Sequence, residues 1–434
     1  MAYPSRWTYR AILWCHIIFK IMGLSPISIH YEDSKTKRTL FFGRSKIGIF
    51  YNVFLTISLV ALSFITLPRL YHRSYLNQSS LTCVVEMVQA AYGVLMVTTI
   101  LLCYVFKWSI QKRICNYLVH AEGQFRFFRE PISIYPTLRK LLIIYIVQTI
   151  VCISAVVTEE ISFHNGPLGW ALDFLPTAFA ANILFQYFSV ISLMTVNFVR
   201  ANEAFESVCR SSIVDSKSLN RCRRVFVNCS MLQYLRHLRN IYDGLCEVTD
   251  EISQFYSFPT LIIVPFIFYS LIFNLYYLLQ PLFDSDMDFE LSNFINTATL
   301  IVYLMYDPGL LTAKITIILK EVGLHFCARN VGECFCWQGK FRLAFGKTVL
   351  KLHLPRSRTD FLTAATALPN LILKQFSLQL LHRQIKFSAN DYFNLDNSLF
   401  QSIISTVMAY LVILIQLETG YKSSHDCQCN CTIA

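Results

Sequence analysis

The sequence predicts an all-α membrane protein with seven transmembrane helices, a cytosolic N-terminus and an extracellular C-terminus. Of its 434 residues 54% are hydrophobic, and the mean hydropathy is +0.45, which exceeds the usual apolar share of a globular domain. Apolar runs recur along the chain, each about long enough to cross a hydrocarbon core of ~30 Å as a helix. Lys and Arg are concentrated in alternate segments between these runs, which predicts the orientation.

The first six apolar runs lie between residues 47 and 312, after a basic cytosolic segment at residues 1–46. The predicted spans are Ile47–Thr66, Val84–Phe106, Leu141–Val157, Leu175–Phe198, Ser257–Gln280 and Asn293–Thr312. In the N-terminal segment, the amphipathic stretch Trp14–Met22 is suited to lie on a membrane surface. In the sixth span, Asp307-Pro308-Gly309 predicts a break, with Asp307 either capping the helix that restarts or serving in gating.

Two long segments on the inner side, residues 199–256 and 313–398, exceed the length of a tight turn. Leu235, Leu238 and Leu245 recur at helical spacing in the first, so spans four to six are predicted to extend as helices into the cytosol. Residues 327–355 are strongly basic and represent either a divergent loop or an artefact of the gene model. The seventh span, residues 399–417, leads to an extracellular tail at 418–434.

The orientation follows from the distribution of basic residues. Of 38 Lys and Arg residues, 35 fall in the N-terminal segment and in every second segment after it, and 3 fall on the other side. Because cytosolic loops carry the excess of positive charge, this split places the N-terminus in the cytosol. The sequon at Asn77 falls on the outer side, where glycosylation occurs.

The net charge of +11 does not predict a nucleic-acid partner, since the basic residues belong to the cytosolic segments. No cofactor fingerprint occurs, and Cys334-x-Cys336 lacks a second ligand pair for a metal. Cys427, Cys429 and Cys431 with His425 could bind a metal, but an extracellular position favours a disulfide or simple exposure. His325, His353 and His382 would suit a membrane enzyme only if an acid accompanied them, and no recognisable one does. The sequence therefore predicts no catalytic residues, no cofactor and no metal site.

The seventh span is not equally apolar all round. One helical stripe of it, which we call the pore stripe, comprises Thr406, Ala409, Ile413 and Gln416. Except for Ile413 these residues are small or polar, whereas Val407, Leu411 and Leu414 on the other side are bulky. Such a stripe either packs closely against another helix or lines water in a pore, and its composition alone favours packing.

Polar and aromatic residues are frequent near the outer ends of spans two, four and six. A mostly apolar pocket with a few placed polar groups suits a small molecule. The candidates are Glu86, Gln89, Tyr92, Asn182, Asn296 and Tyr303. The competing interpretation is a helix bundle that satisfies its own polar side chains. The loop at 281–292 is acidic, and acidic groups near a pore mouth would concentrate cations.

The last sixty residues resemble the insect gustatory receptor family. Tyr410–Gln416, reading YLVILIQ, is similar to the last-helix signature of that family: Thr-Tyr, five hydrophobic residues and Gln-Phe. Three earlier motifs agree: Phe376–His382 (FSLQLLH), Phe387–Ala389 (FSA) and Phe393–Asp396 (FNLD). The chain departs from the family pattern at Ala409 (Thr), Leu417 (Phe) and Asp391 (usually Gly).

The resemblance implies a chemoreceptor that is a ligand-gated cation channel, a homo- or hetero-tetramer opened by a small-molecule tastant. Each seventh helix would line one pore, with Ile413 as the hydrophobic constriction and Gln416 as a polar ring. It further implies a multi-pass protein of the plasma membrane, in contact with lipid, in the dendrites of gustatory neurons. The alternative is a metabotropic seven-span receptor that acts through a cytosolic partner. The class of tastant and the need for a co-receptor stay open.

Overall fold

The computed structural model describes residues 6–34, 37–71, 80–125, 134–163, 174–215, 221–283, 291–322 and 385–430. The helices in these ranges are α1 (Arg6–Ile21), α2 (Lys46–Tyr71), α3 (Ser80–Phe106), α4 (Trp108–Phe125), α5 (Tyr135–Phe163), α6 (Leu175–Asp215), α7 (Arg221–Phe283), α8 (Leu291–Lys320) and α9 (Asn397–Asn430). Two antiparallel hairpins accompany them: β1 (Ile27–Ser34) with β2 (Lys37–Arg44), and β3 (Ser388–Ala389) with β4 (Phe393–Asn394).

Seven of the described helices are long and apolar enough to cross a membrane: α2, α3, α5, α6, α7, α8 and α9. They correspond in order to the seven predicted spans, so the helical seven-span class is confirmed. The agreement extends to bounds, since α6 begins at Leu175, where the fourth span was predicted to begin. Helix α4 stands between the second and third spans and was not predicted.

Helix α6 forms the centre of the bundle, and α9 lies at its surface. Within the most apolar stretch of each helix, 78% of the residues of α6 are buried but only 11% of those of α9. Large aromatic side chains fill the space around α6: the ring of Tyr187 stacks on that of Tyr256 in α7, with the centroids 4.4 Å apart. A helix buried on all sides fixes the positions of its neighbours, so side chains along α6 are well placed to organise a site.

Helix α7 is 63 residues long, which corresponds to about 95 Å, or roughly three times the hydrocarbon core. Helix α7 thus extends far beyond the predicted fifth span, and α6 runs on to Asp215 beyond the fourth; the cytosolic position of these extensions stays a prediction. Leu235, Leu238 and Leu245 of the extension are all buried. Their heptad-like spacing indicates that the extension packs against the rest of the chain rather than standing alone.

The predicted break in the sixth span is wrong. Helix α8 runs unbroken from Leu291 to Lys320 with Pro308 inside it. A proline removes one backbone donor, and in a packed bundle the neighbouring helices hold the chain in helical form. The hydroxyl of Thr312, one turn further on, donates to the carbonyl of Pro308, 2.9 Å away. Asp307 is therefore not a helix cap, and its carboxyl group faces another helix.

The N-terminal segment is anchored by a loop that enters the bundle between α1 and β1. Leu24 is completely buried, and its carbonyl accepts hydrogen bonds from the amides of Gln111 at 2.9 Å and Gln186 at 3.2 Å. Gly23 precedes it at φ +77°, where a Cβ would lie 2.7 Å from the side chain of Leu101. A glycine is required there, because only glycine combines positive φ with so close an approach.

Helix α1 exposes one apolar face. Trp14 and Ile21 are 63% and 64% exposed, and Ile17 lies between them on the same face. The position of this helix on a membrane surface stays a prediction, because exposure alone does not show what covers the face.

The hairpin β3–β4 explains several motifs of the C-terminal segment. Phe387, Ala389 and Leu395 are buried, and Asp396 caps α9, because its Oδ1 accepts from the amide of Ser398 at 2.9 Å. Asp391 has φ +60° in the turn between the strands. This left-handed conformation is the physical reason why glycine suits that position.

Several sequence predictions lie outside the described residues. These are the sequon at Asn77, the acidic residues of 284–290, the stretch 327–355 and the three inner histidines His325, His353 and His382.

Candidate functional site

The pore stripe lies on the outer surface of the bundle. All four of its residues are exposed: Thr406, Ala409, Ile413 and Gln416. The opposite face of α9 carries Val407 and Leu411, each only 2% exposed. The bulky side chains thus hold α9 against its own subunit, chiefly against α7 and α8, and the stripe is left for another surface.

The three candidate pocket residues of α3 face α7 and are bonded to it. The Glu86 carboxylate accepts from the Tyr277 hydroxyl at 3.2 Å, the Gln89 amide donates to the Ser270 hydroxyl at 3.3 Å, and the Tyr92 hydroxyl donates to the Ile262 carbonyl at 3.1 Å. The ring of Tyr92 also stacks on Phe266, with the centroids 6.2 Å apart. These contacts join spans two and five along successive turns, so this group acts as a helix–helix contact.

The other three candidates lie elsewhere, between α5, α6 and α8. Asn182 of α6 accepts from the Tyr145 hydroxyl at 3.2 Å, and Asn296 of α8 accepts from the Thr158 hydroxyl at 2.8 Å. Tyr303 is 1% exposed, and its ring stacks on Phe174 with the centroids 5.7 Å apart. The structure therefore divides the six predicted residues into two separate groups of three.

Sequence reasoning missed the α5 side of this second group. Gln148 of α5 donates through Nε2 to Oδ2 of Asp307 in α8, at 3.0 Å, and both side chains are 2% exposed. We call the buried and half-buried polar residues shared by α5, α6 and α8 the polar seam: Tyr145, Gln148, Cys152, Thr158, Asn182, Asn296, Tyr303 and Asp307. A repeat of polar residues at helical spacing on the α5 sequence was the available signal.

Hydrogen bonding in the polar seam is incomplete. Oδ1 of Asp307 and Oε1 of Gln148 are buried without a hydrogen-bond partner. The hydroxyl of Tyr303 has the thiol of Cys152, a weak acceptor, as its neighbour. Orphaned buried acceptors are uncommon in proteins, and each one calls for an explanation such as an absent ligand or water.

A small cavity elsewhere does not suit a tastant. It lies between α2, α3 and α6, is lined by Leu59, Ser63, Thr66, Val97 and Pro176 among others, and has a volume of about 20 Å³. That volume holds about one water molecule. In the described part of the chain no three His, Cys, Asp or Glu side chains gather as metal ligands. The polar seam is therefore the better candidate for a small-molecule site.

The polar seam and the seventh span meet through α8. Gly309, two residues after Asp307, lies against Phe400 of α9: a Cβ at this glycine would be 3.4 Å from the Phe400 ring. One short stretch of α8 thus contacts the polar seam on one side and the pore-stripe helix on the other.

Comparison with known families gives a match to the 7tm chemosensory receptor family over residues 14–311 and 365–419. Among curated proteins of Drosophila melanogaster, putative gustatory receptor 28b is 24% identical over 260 residues, which are 56% of this chain and 49% of that protein. Gustatory receptor 23a is 32% identical over 115 residues, or 26% of this chain and 29% of that protein. The chain thus aligns with about half the length of the first relative and less of the second.

Solved structures give the same fold. The insect olfactory receptor OR5 from Machilis hrabei superposes with a TM-score of 0.59 at 12% identity, over 94% of this chain and 98% of that one. Its complex with eugenol gives a TM-score of 0.54 at 13% identity, over 94% and 99%. At these identities the likeness shows the fold alone. The family match covers most of the sequence, and it shows that this multi-pass membrane protein belongs to the insect chemosensory receptors.

Proposed function

We propose that the chain is a gustatory receptor that forms a ligand-gated cation channel, as a homo- or hetero-tetramer with related subunits. The observation that carries this proposal is the exposure of the pore stripe on a helix whose bulky face is buried. Four such stripes around one axis would bury Ile413 and Gln416 against their counterparts. The four Ile413 side chains would exclude water from the pore when the channel is closed. The four Gln416 amides would replace part of the hydration shell of a cation.

The ligand site of this proposal is the polar seam, with Asn182, Asn296 and Tyr303 among its residues. Support comes from its orphaned acceptors and from the complex of the structurally similar OR5 with a small molecule, eugenol. Glu86, Gln89 and Tyr92 are the second group of the proposed pocket, and their bonds to α7 favour a supporting role. A ligand that alters α8 at Asp307 would act on Phe400 through Gly309, and so on the pore helix.

The orientation is part of the proposal: the N-terminus, 199–256 and 313–398 are cytosolic, and the tail at 418–434 is extracellular. The strongly uneven distribution of Lys and Arg supports it. An N-terminal tag should bind antibody only in permeabilised cells, whereas a tag after Ala434 should bind on intact cells. Asn77 should be glycosylated. Staining of the N-terminal tag on intact cells would contradict this orientation. The proposed location is the plasma membrane of gustatory neurons, in their dendrites.

Voltage clamp tests the function. The chain, expressed alone and with related receptor subunits, is exposed to a panel of sugars, bitter compounds, amino acids and amines. A tastant-evoked cation current that persists in excised patches without nucleotides supports the channel. A response that requires GTP and is lost in excised patches would instead support a metabotropic receptor with a cytosolic partner.

A further inference from the structure

The carboxyl group of Asp307 lies within the apolar length of a membrane span. It is 2% exposed, at the seventeenth residue of the 30-residue helix α8. An acidic group at this depth is costly, and such groups generally pair with another group or serve function. The amide of Gln148 provides one hydrogen bond to Oδ2, which satisfies only part of the carboxyl group.

The remaining groups of this site require donors. Oδ1 of Asp307 and Oε1 of Gln148 are both acceptors, both buried and both without a hydrogen-bond partner. The Gln148 amide donates to Oδ2, and neither of its N–H groups bonds Oδ1. The missing complement is a group that donates at least two hydrogen bonds. A protonated amine has this property, and its positive charge balances the negative charge of a carboxylate.

Basic side chains do not fill this place in the described part of the chain. The basic residue that follows Asp307 on α8 is Lys314, which lies near the like charge of Lys140 in α5 and is attracted by Glu321. Among the described residues, therefore, no side chain supplies the cation that would match Asp307, and a ligand can supply it.

Aromatic rings surround the same region. Tyr303, one turn from Asp307, stacks on Phe174, and Tyr145, one turn from Gln148, contacts Phe185 with the centroids 4.8 Å apart. Aromatic faces attract organic cations. The small buried residues Ala155 and Ala181 belong to the same apolar cluster as Phe174 and Tyr303.

We propose that the polar seam recognises an organic cation, a protonated amine whose ammonium group binds Oδ1 of Asp307 and Oε1 of Gln148. Its apolar part packs on the Tyr303 ring. Because these side chains are nearly inaccessible, the ligand enters as α5 and α8 separate. This inference rests on the proposed ligand site, but binding can be measured whether or not the protein conducts.

The test is thermal unfolding of the purified full-length protein in detergent near pH 7. The probes are three organic cations, each compared with a neutral alcohol of similar shape. Butylamine is compared with butanol, phenethylamine with phenethyl alcohol, and tetramethylammonium with tert-butanol. At least one amine should raise the unfolding temperature increasingly with concentration, as a ligand of the native state does, and its neutral counterpart should not. Primary amines should exceed tetramethylammonium, which has no N–H donor.

Asp307→Asn should raise the amine concentration needed for a given shift of the unfolding temperature by about ten- to hundredfold. That factor corresponds to the loss of one charge-assisted hydrogen bond. Asp307→Glu should restore part of the amine effect. The matched control is Asp243→Asn, which makes the same change at a partly exposed ion pair with Arg239 in α7, outside the proposed pocket, and should leave amine binding unchanged. If Asp307→Asn does not fold, the comparison of amines with neutral counterparts on the unaltered protein still decides the matter.

The inference is overturned if no amine shifts the unfolding temperature, if alcohols act equally, or if Asp307→Asn responds as the unaltered chain does. Tastant-evoked current without any amine binding would refute the inference and leave the channel proposal standing. Amine binding without any current would support the inference and contradict the channel proposal.

Discussion

The side chain of Ser257 in α7 bonds to both the side chain and the backbone of Asn390 in the β3–β4 turn. The Ser257 hydroxyl donates to Oδ1 of Asn390 at 2.8 Å and accepts from the Asn390 amide at 2.5 Å. The contact joins the fifth span to the hairpin that precedes α9. Asn397, the first residue of α9, is in turn bonded to Thr316 of α8, with 3.3 Å between amide and hydroxyl. The start of the pore helix is thereby fixed to two other spans.

Ser257→Ala should lower the free energy of unfolding by about 1–3 kcal/mol, because it leaves the Asn390 amide without a partner in a half-buried place. It should also reduce tastant-evoked current, since α9 loses a link to α7. Thermal unfolding and current density per surface receptor measure the two effects. The control is Ser253→Ala one turn away, which removes a single exposed bond to the Lys386 carbonyl. An equal loss in both variants would show that the Ser257 contact has no special role.

Asp391→Gly should leave the stability unchanged or raise it by up to about 1 kcal/mol. Glycine adopts φ +60° without the steric cost of a Cβ, which offsets the loss of the exposed bond to Ser388. Asp391→Val should lower stability by about 1–2 kcal/mol, because β-branched residues fit this conformation poorly. Thermal unfolding compares them with Tyr392→Val, which is next in the turn and 78% exposed. A stabilising Asp391→Val would contradict the turn geometry.

The N-terminal anchor should loosen in acid. Burial, together with the nearby Lys20, lowers the pKa of His16 from 6.5 to about 4. The unfolded chain therefore takes up a proton near pH 6.5 while the folded chain does not, and stability is full above that pH and falls towards pH 4. The bond between Nδ1 of His16 and the Ser25 hydroxyl, 3.1 Å long, belongs to the folded form.

Hydrogen exchange of residues 16–27 at several pH values between about 7 and 5 measures this effect. His16→Gln should flatten the pH dependence of protection in that segment, because glutamine does not titrate. His30→Gln, an exposed substitution in the neighbouring hairpin, should leave the dependence in place. A dependence that persists in His16→Gln would assign it to another group.

The spans were predictable from sequence because each is a local apolar run. The start of α6 at Leu175 and the long extension of α7 needed only composition and periodicity. Asp391 was recognisable as a departure from a glycine pattern, and its positive φ supplies the reason. The helix through Pro308 was not predictable, because neighbouring helices outweigh the local effect of a proline.

The candidate site was only half predictable. Polar residues in spans stand out in a sequence, so Asn182, Asn296 and Tyr303 were found, but their partners on α5 were not. The bond between Gln148 and Asp307 joins residues 159 positions apart, and nothing in either local sequence specifies the other. Glu86 has the same local signature as Asp307, yet packing gives it a tyrosine on α7 instead.

Ile413→Ser should raise the ligand-independent current, because four hydroxyl groups would keep the proposed constriction wet when closed. The matched control is Ile404→Ser, the same change at another exposed isoleucine. Ile404 is 41% exposed and Ile413 is 49% exposed, but Ile404 lies about 180° round the helix from Ile413. Whole-cell current without tastant, normalised to surface expression, measures the difference. Equal leak in both variants would argue against a constriction at Ile413.

Cysteine accessibility tests the pore assignment of α9 most directly. Cysteines are placed singly at Ile413, Gln416 and Ile404, and a charged, water-soluble thiol reagent is applied while a tastant holds the channel open. The account predicts that modification at Ile413 and Gln416 changes the current, and that modification at Ile404, on the other side of the helix, does not. A channel in which the cysteine at Ile404 reacts and blocks current, while those at Ile413 and Gln416 stay inert, would contradict the account: the pore stripe would then face protein rather than water.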